Sequence, residues 1–258
     1  MGESMLVAAA AIAVLMVTTW LVSVVRRDAS IVDIVWGLGF VVVSWVLVAF
    51  LEADRPRQFL LAALTSIWGL RLAGYLARRN LGKGEDFRYQ AMRRRWGARF
   101  PVISLVTVFG LQGVIMWIVS LPLQYGSADA DPGIGPVAVM GIMVWLVGVI
   151  FETVGDAQLA RFKADPANAG KVMDRGLWSL TRHPNYFGDS MVWWGIGIVA
   201  AETGSGVIGL AGPLVMMFFL MRVSGVPMLE RSLMKRREGY AEYAARTSAF
   251  FPRPPRAE

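Results

Sequence analysis

The residues best placed to do chemistry lie in one stretch, Gly176 to Gly195, which reads GLWSLTRHPNYFGDSMVWWG. It holds the chain's single histidine, His183, inside a polar run of Arg182, His183, Asn185, Tyr186 and Asp189 that leads directly into an apolar segment. Proline has a fixed φ and no N–H, so it suits the first turn of a helix, and a helix is expected to begin near Pro184. On that helix Asn185 and Asp189 are four apart and share a face, and Tyr186 is three from Asp189. A helix N-terminus carries unpaired N–H groups and partial positive charge, which suits phosphate. The plain alternative is a capped helix start with snorkelling side chains. Five polar groups at one boundary are more than a cap requires.

Other polar residues stand where apolar ones would be cheaper. Asp33 falls one turn inside an apolar segment; it either completes a cap with Ser30 or faces a cavity or partner. Arg71, Tyr75 and Arg78 recur at helical spacing and form one polar stripe. Between Arg79 and Phe100 a charged loop and surface helix are expected, with Arg93, Arg94 and Arg95 near anionic headgroups. Within it, Glu85-Asp86-Phe87-Arg88-Tyr89 mixes acids, a base and aromatics. Glu152 and Asp156 are four apart at another boundary and lead to Arg161 and Lys163. They either compensate neighbouring bases or hold the hydroxyls of a bound nucleotide. The loop Phe162 to Arg175 follows as a flexible, cationic cover. Near the C-terminus come Glu230, Tyr240 and Tyr243, and Pro252, Pro254 and Pro255 end regular structure.

The elements that carry these groups are membrane helices. Of 258 residues, 55% are hydrophobic, and the mean hydropathy is +0.50. Repeated apolar stretches of about 20 residues fit bilayer-crossing helices and not a β-barrel. The expected fold is an all-α integral membrane protein with seven transmembrane helices, near residues 5–25, 31–52, 58–78, 101–123, 134–155, 186–203 and 206–223, followed by a C-terminal interfacial helix. The connections 51–57 and 124–133 hold only Arg55 and Arg57, so the other 24 of 26 Lys and Arg (26 minus 2) lie in or beside the remaining loops and tail. That asymmetry places the N-terminus outside and the C-terminus in the cytoplasm. The net charge of +7 then orients the protein rather than binding nucleic acid. The first segment is too long for a cleaved signal and lacks a basic start. The outer connection 124–135 is short, acidic and turn-rich. With no cysteine and one histidine, disulfides, thiolate metal sites and a histidine-rich metal site are excluded. The chain contains no glycine-rich phosphate loop, which excludes a Rossmann cofactor fold. A single membrane domain over 1–258 is expected, with substrate-side spans in 1–100 and a cofactor-binding part in 134–258.

The run Gly176-Leu177-Trp178 followed by Arg182-His183-Pro184-Asn185-Tyr186-Phe187-Gly188-Asp189 resembles the membrane steroid 5-alpha-reductase-like family. The stretch Asp156 to Lys163 and the tail Glu230 to Pro252 resemble it too, and Asp33, Trp36, Trp68, Arg71 and Tyr75 do so weakly. The resemblance implies an oxidoreductase that binds NADPH in a seven-helix membrane fold. Its substrate would be a steroid or similar lipid carrying an enone, and it would reduce the carbon–carbon double bond. The implied cofactor set is Arg71, Asp156, Arg161, Lys163, Arg182, His183, Asn185, Tyr186, Asp189, Glu230 and Tyr240. The bases among these, with Lys171 and Arg175, favour NADPH over NADH. In the animal enzymes a glutamate and a tyrosine polarise the ketone; here Asp33 stands for the glutamate, and the tyrosine position falls on Trp68. Asp33, Tyr75 and Tyr89 are therefore the candidate proton donors. The expected setting is a multi-pass membrane protein, in the inner membrane if bacterial, monomeric, in contact with membrane lipids and bound to no nucleic acid. The rival class is an S-adenosylmethionine-dependent membrane methyltransferase of the isoprenylcysteine carboxyl methyltransferase kind. It shares the Arg-His-Pro-x-Tyr-x-Gly run and the C-terminal glutamate and tyrosines. Asn185, Asp189 and Asp156-Ala157-Gln158 favour the reductase.

Overall fold

The computed structural model describes residues 1–51, 55–128 and 133–255. Among the described residues every regular element is helical. The helices are α1 (Gly2–Arg26), α2 (Ile31–Phe50), α3 (Arg55–Asn80), α4 (Phe87–Trp96), α5 (Phe100–Ser104), α6 (Leu111–Val119), α7 (Leu121–Gly126), α8 (Pro136–Ala164), α9 (Leu177–Leu180), α10 (Pro184–Ala200), α11 (Ala211–Phe218), α12 (Val226–Arg236) and α13 (Tyr240–Arg246). Wide π-helical turns over Leu105–Gly110 and Phe219–Val223 follow α5 and α11.

Among the described residues six helical runs are long and apolar enough to cross a membrane: Gly2–Arg26, Ile31–Phe50, Pro56–Asn80, Phe87–Val119, Pro136–Ala164 and Ser205–Arg236. The chain is thus an all-helical membrane protein. The expected span at 186–203 corresponds to α10, which at 17 residues is shorter than the six runs. The expected connections differ too. Residues 52–54 and 129–132, in the two outer connections, lie outside the described residues. Arg57, counted as a loop base, sits in α3 with 1% exposure and donates to the Gly133 carbonyl at 3.0 Å.

The chain forms two compact units, the first Met1–Ala138 with Ile196–Gly212, the second Val139–Gly195 with Pro213–Glu258. In the first, α2 and α3 approach backbone to backbone: a Cβ on Gly37 would lie 2.6 Å from the Gly69 carbonyl oxygen. Small residues permit such contact between membrane helices, where dispersion and packing replace the hydrophobic effect. The loops that end α1 and α3 are pinned together. Glu85 accepts from the Ala29 N–H at 2.9 Å and pairs with Arg93 at 2.8 Å. Burial pushes the Glu85 carboxyl up, but the Arg93 and Ala29 bonds outweigh it and hold it below the usual range. Arg93 therefore serves this clasp. The expected Ser30–Asp33 cap does not form: Ser30 makes no side-chain cap bond to α2, and its hydroxyl instead donates to Asp28 and accepts from the Asp86 N–H.

The second unit is built on a glycine seam between α8 and α10. Cβ atoms on Gly148 and Gly188 would each lie 2.5 Å from a backbone nitrogen of the other helix, Val192 and Glu152 respectively. One turn-pair away, Gly195 faces Gly141 and Trp145, and Gly155 faces Pro184. The glycines recur every seven residues on both helices, so one narrow stripe of each stays in contact along the seam. This seam sets the height at which the polar ends of α8 and α10 meet.

Candidate functional site

The site in the second unit starts where α8 leaves its apolar part. Gln158 accepts the Leu177 N–H at 3.0 Å, and the Gly155 carbonyl accepts the Trp178 indole N–H at 3.0 Å. These bonds hold α9 on α8. The C-terminal tail then folds back on the segment before α10: the Ser248 carbonyl accepts the Arg182 N–H at 2.8 Å, and Thr181 donates to the Phe250 carbonyl at 2.9 Å.

Arg182 is the centre of this arrangement. Its guanidinium donates to both Glu230 oxygens, at 2.7 and 3.1 Å, and to the carbonyls of Ala244 at 2.8 Å and Thr247 at 2.5 Å. Burial alone would lower its pKa, but the Glu230 carboxylate outweighs that and raises it. Arginine has five N–H donors in a fixed fork, and nearly all are committed inside the protein. Arg182 therefore positions Glu230 and the tail, although the sequence suggested a direct ligand contact. His183, 1% exposed, lies 3.1 Å from Glu230 through Nε2 and stacks on Tyr186 with centroids 5.3 Å apart and planes at 7°. Its Nδ1 has no hydrogen-bond partner among the described residues.

Tyr240, 3% exposed, lies beside Arg182 and Glu230, yet its hydroxyl makes no well-formed hydrogen bond. Burial, and then the Glu230 charge, push it up to about 12, so at neutral pH it keeps its proton. Tyr243 donates to the Trp178 carbonyl at 2.5 Å, and burial, followed by Tyr240, raises its pKa as well.

The carboxylates on α8 are buried, Glu152 at 3% and Asp156 at 4% exposure. Asn185 donates to Asp156 at 3.3 Å and accepts the Tyr186 N–H at 3.0 Å. Asn185 and Asp156 thus form one polar junction, and Asp189 stands one turn further along α10, half-buried.

Next to Arg182 opens a cavity of about 600 Å³ whose walls include Phe162, Trp178, Leu229, Leu233, Tyr240 and Tyr243. Its charged lining is Lys163, Lys171, Arg182, Arg236 and Arg237 against one acid, Asp165. Of the expected cofactor set, Lys163, Arg182 and Tyr240 line it; Asp156, His183, Asn185, Tyr186, Asp189 and Glu230 lie in the same unit without lining it, and Arg161 is exposed on α8. Trp178, Tyr243, Arg236 and Arg237 were not in that set. The basic run Lys235-Arg236-Arg237 just before Gly239-Tyr240 was the available signal.

In the first unit, Asp33 pairs with Arg88 at 2.7 Å and accepts from the Tyr89 hydroxyl at 2.9 Å. Gln112 reaches the same hydroxyl at 3.4 Å, and Asp86 both caps α4 and holds Arg88 at 2.8 Å. Asp33 and Tyr89 are therefore joined directly, with Arg88 on the acid and Gln112, which sequence spacing does not single out, on the hydroxyl. Tyr75 is elsewhere in this unit, with the guanidinium of Arg71 5.9 Å and that of Arg79 5.7 Å from its ring centroid. Among the described residues no three His, Cys, Asp or Glu side chains are grouped to hold a metal.

Comparison with known proteins adds a family. A probable O-methyltransferase, ustE, from Ustilaginoidea virens is 34% identical over 139 residues, covering 52% of this chain and 47% of that protein. The match thus spans about half the length of that relative. No solved structure matches the chain. The sequence profile of the family described as a protein of unknown function, DUF1295, matches residues 19–247. The matched residues include both polar clusters and nearly the whole membrane part, and the chain belongs to the DUF1295 family.

Proposed function

We propose that the chain is an NADPH-dependent reductase acting on the carbon–carbon double bond of an enone in a steroid or similar lipid. The observation that carries this reading is the charge of the cavity beside Arg182, where four further bases, Lys163, Lys171, Arg236 and Arg237, face the single lining acid Asp165 over aromatic walls, Arg182 itself being paired with Glu230. An anionic dinucleotide gains charge-assisted hydrogen bonds there. S-adenosylmethionine, with a sulfonium, an ammonium and one carboxylate, is net positive and meets mostly like charge there. The resemblance of the Arg182–Asp189 run to the steroid 5-alpha-reductase-like family points the same way.

The residues fit such a cofactor. Lys163, Lys171, Arg236 and Arg237 supply cations for phosphates, Trp178 and Tyr243 supply ring faces, and the buried Tyr240 hydroxyl keeps a proton to donate. When bound, NADPH supplies the hydride. The chain's own part is to place it, to exclude water, and to stabilise the negative charge that grows on a ketone oxygen. The Asp33–Tyr89 pair, in the first unit, is proposed for that last task on the sequence resemblance alone. Asp33, ion-paired and accepting, holds the hydroxyl, and Tyr89 Oη carries the proton. In this reading α10 also crosses, which makes seven crossings, and the N-terminus faces out and the C-terminus faces the cytoplasm.

Asp33→Asn is then expected to bind NADPH as the wild type does and to turn over a steroid enone about 10²–10³-fold more slowly, followed by NADPH oxidation at saturating cofactor. Undiminished turnover would take Asp33 and Tyr89 out of the chemistry. Asn185→Ala and Asp189→Ala are expected to abolish NADPH binding in a fluorescence titration while the protein stays folded in detergent. Wild-type affinity in Asn185→Ala would reduce the Asn185–Asp156 junction to a helix cap.

The second reading is an S-adenosylmethionine-dependent membrane methyltransferase. The relative named as a probable O-methyltransferase favours it, and it makes the same use of the His183–Glu230 pair as scaffold.

A further inference from the structure

The second face of α12 remains without a role in any of this. The helix starts three residues after the π-helical turn that ends at Val223, with Ser224 and Gly225 between, and forms the polar end of the run Ser205–Arg236. Its inner face is committed: Val226 is buried, Glu230 holds Arg182 and His183, and Leu233 lines the cavity. On the opposite side Met228, Arg231 and Lys235 follow at i, i+3 and i+7, a single stripe of a 3.6-residue helix, with Met234 beside it. Met228 and Met234 are 47% and 49% exposed, and Arg231 and Lys235 are exposed as well. Neither base is engaged in an ion pair with a described residue. No acid lies on the stripe, because Glu230 points inward.

We infer that this outer face of α12 docks on anionic phospholipid headgroups. The methionines suit the acyl boundary, the two long basic side chains suit snorkelling to phosphate, and the helix is the polar end of the last membrane-length run, Ser205–Arg236. Juxtamembrane bases gain about 1 kcal/mol each near an anionic leaflet. A soluble acidic protein would satisfy the charges, but it would leave the exposed methionines and the membrane-proximal start of the helix unused. Because Leu233, Arg236 and Arg237 of the same element wall the cavity, lipid docking holds the wall to which the proposed cofactor binds.

The test uses the full chain in nanodiscs of phosphatidylcholine with and without phosphatidylglycerol, with no cofactor added. Amide hydrogen exchange over residues 226–237 is expected to slow severalfold in the anionic discs. Molar salt is expected to reverse that difference in the wild type, since the Debye length falls to about 3 Å. The Arg231→Gln/Lys235→Gln variant is expected to show little difference between the two discs. Equal exchange in both lipids, a difference that survives molar salt, or a variant that keeps it in full would each overturn the inference. The measurement needs no NADPH, so failure of the reductase reading leaves its outcome intact.

Discussion

Replacing Arg182 by methionine is expected to destabilise the second unit by about 3 kcal/mol, the low end for breaking a largely buried ion pair by removal of one partner. Arg182 and Glu230 are 11% and 18% exposed in their side chains. The substitution strands the Glu230 carboxylate, leaving it only His183, and frees the Ala244 and Thr247 carbonyls at the same time. Glu230→Gln keeps a hydrogen-bond acceptor and is expected to cost less. Removing both charges with Arg182→Met/Glu230→Leu is expected to cost clearly less than the sum of the single losses, because no unpaired charge is left behind. Melting in detergent followed by tryptophan fluorescence measures all of them. An Arg182→Met protein that melts with the wild type would mean the network holds nothing together.

Gly188→Ala is expected to separate α8 from α10. The added Cβ would lie 2.5 Å from the Glu152 backbone nitrogen, 2.6 Å from the Gly148 carbonyl oxygen and 2.8 Å from the Glu152 Cβ. Two of these are backbone atoms, so no side-chain rotation relieves the clash, and one helix must move. Overpacking of this kind costs about 1–3 kcal/mol. The functional loss is expected to be larger than the stability loss, because the same helix pair brings Asn185 to Asp156. Gly74→Ala on α3 is the control. Its Cβ meets nothing within 4 Å, and alanine is the better helix former by up to about 1 kcal/mol. The prediction fails if Gly188→Ala and Gly74→Ala melt alike and bind ligand alike.

What could be read from the sequence was local. The helix expected at Pro184 starts at Pro184, and α1 and α2 end close to the expected boundaries, because proline, capping residues and hydrophobic runs act over a few positions. The polar run around His183 stands out in the sequence itself. Its wiring was not legible: Arg182 meets Glu230 across 48 positions and Thr247 across 65, and no spacing rule connects residues so far apart. An arginine beside a histidine therefore read as a ligand contact when it is a structural anchor. Asp33 looked like half of a capping box, and its partners Arg88 and Tyr89 lie 55 and 56 positions away. The glycine heptads on α8 and α10 were visible as letters. Their meaning depended on the two helices facing each other, which only the packing reveals.

The most direct test of the central claim is to add NADPH or S-adenosylmethionine separately to the purified protein and measure the melting temperature. A ligand that binds only the native state stabilises it, by about 2.7 kcal/mol at a hundred times Kd. NADPH is expected to raise the melting temperature with a saturating dose dependence, and Arg236→Gln/Arg237→Gln to weaken that response by removing two of the five lining bases. S-adenosylmethionine is expected to leave it unchanged. Stabilisation by S-adenosylmethionine with none by NADPH would contradict the reductase reading and assign the cavity to methyl transfer.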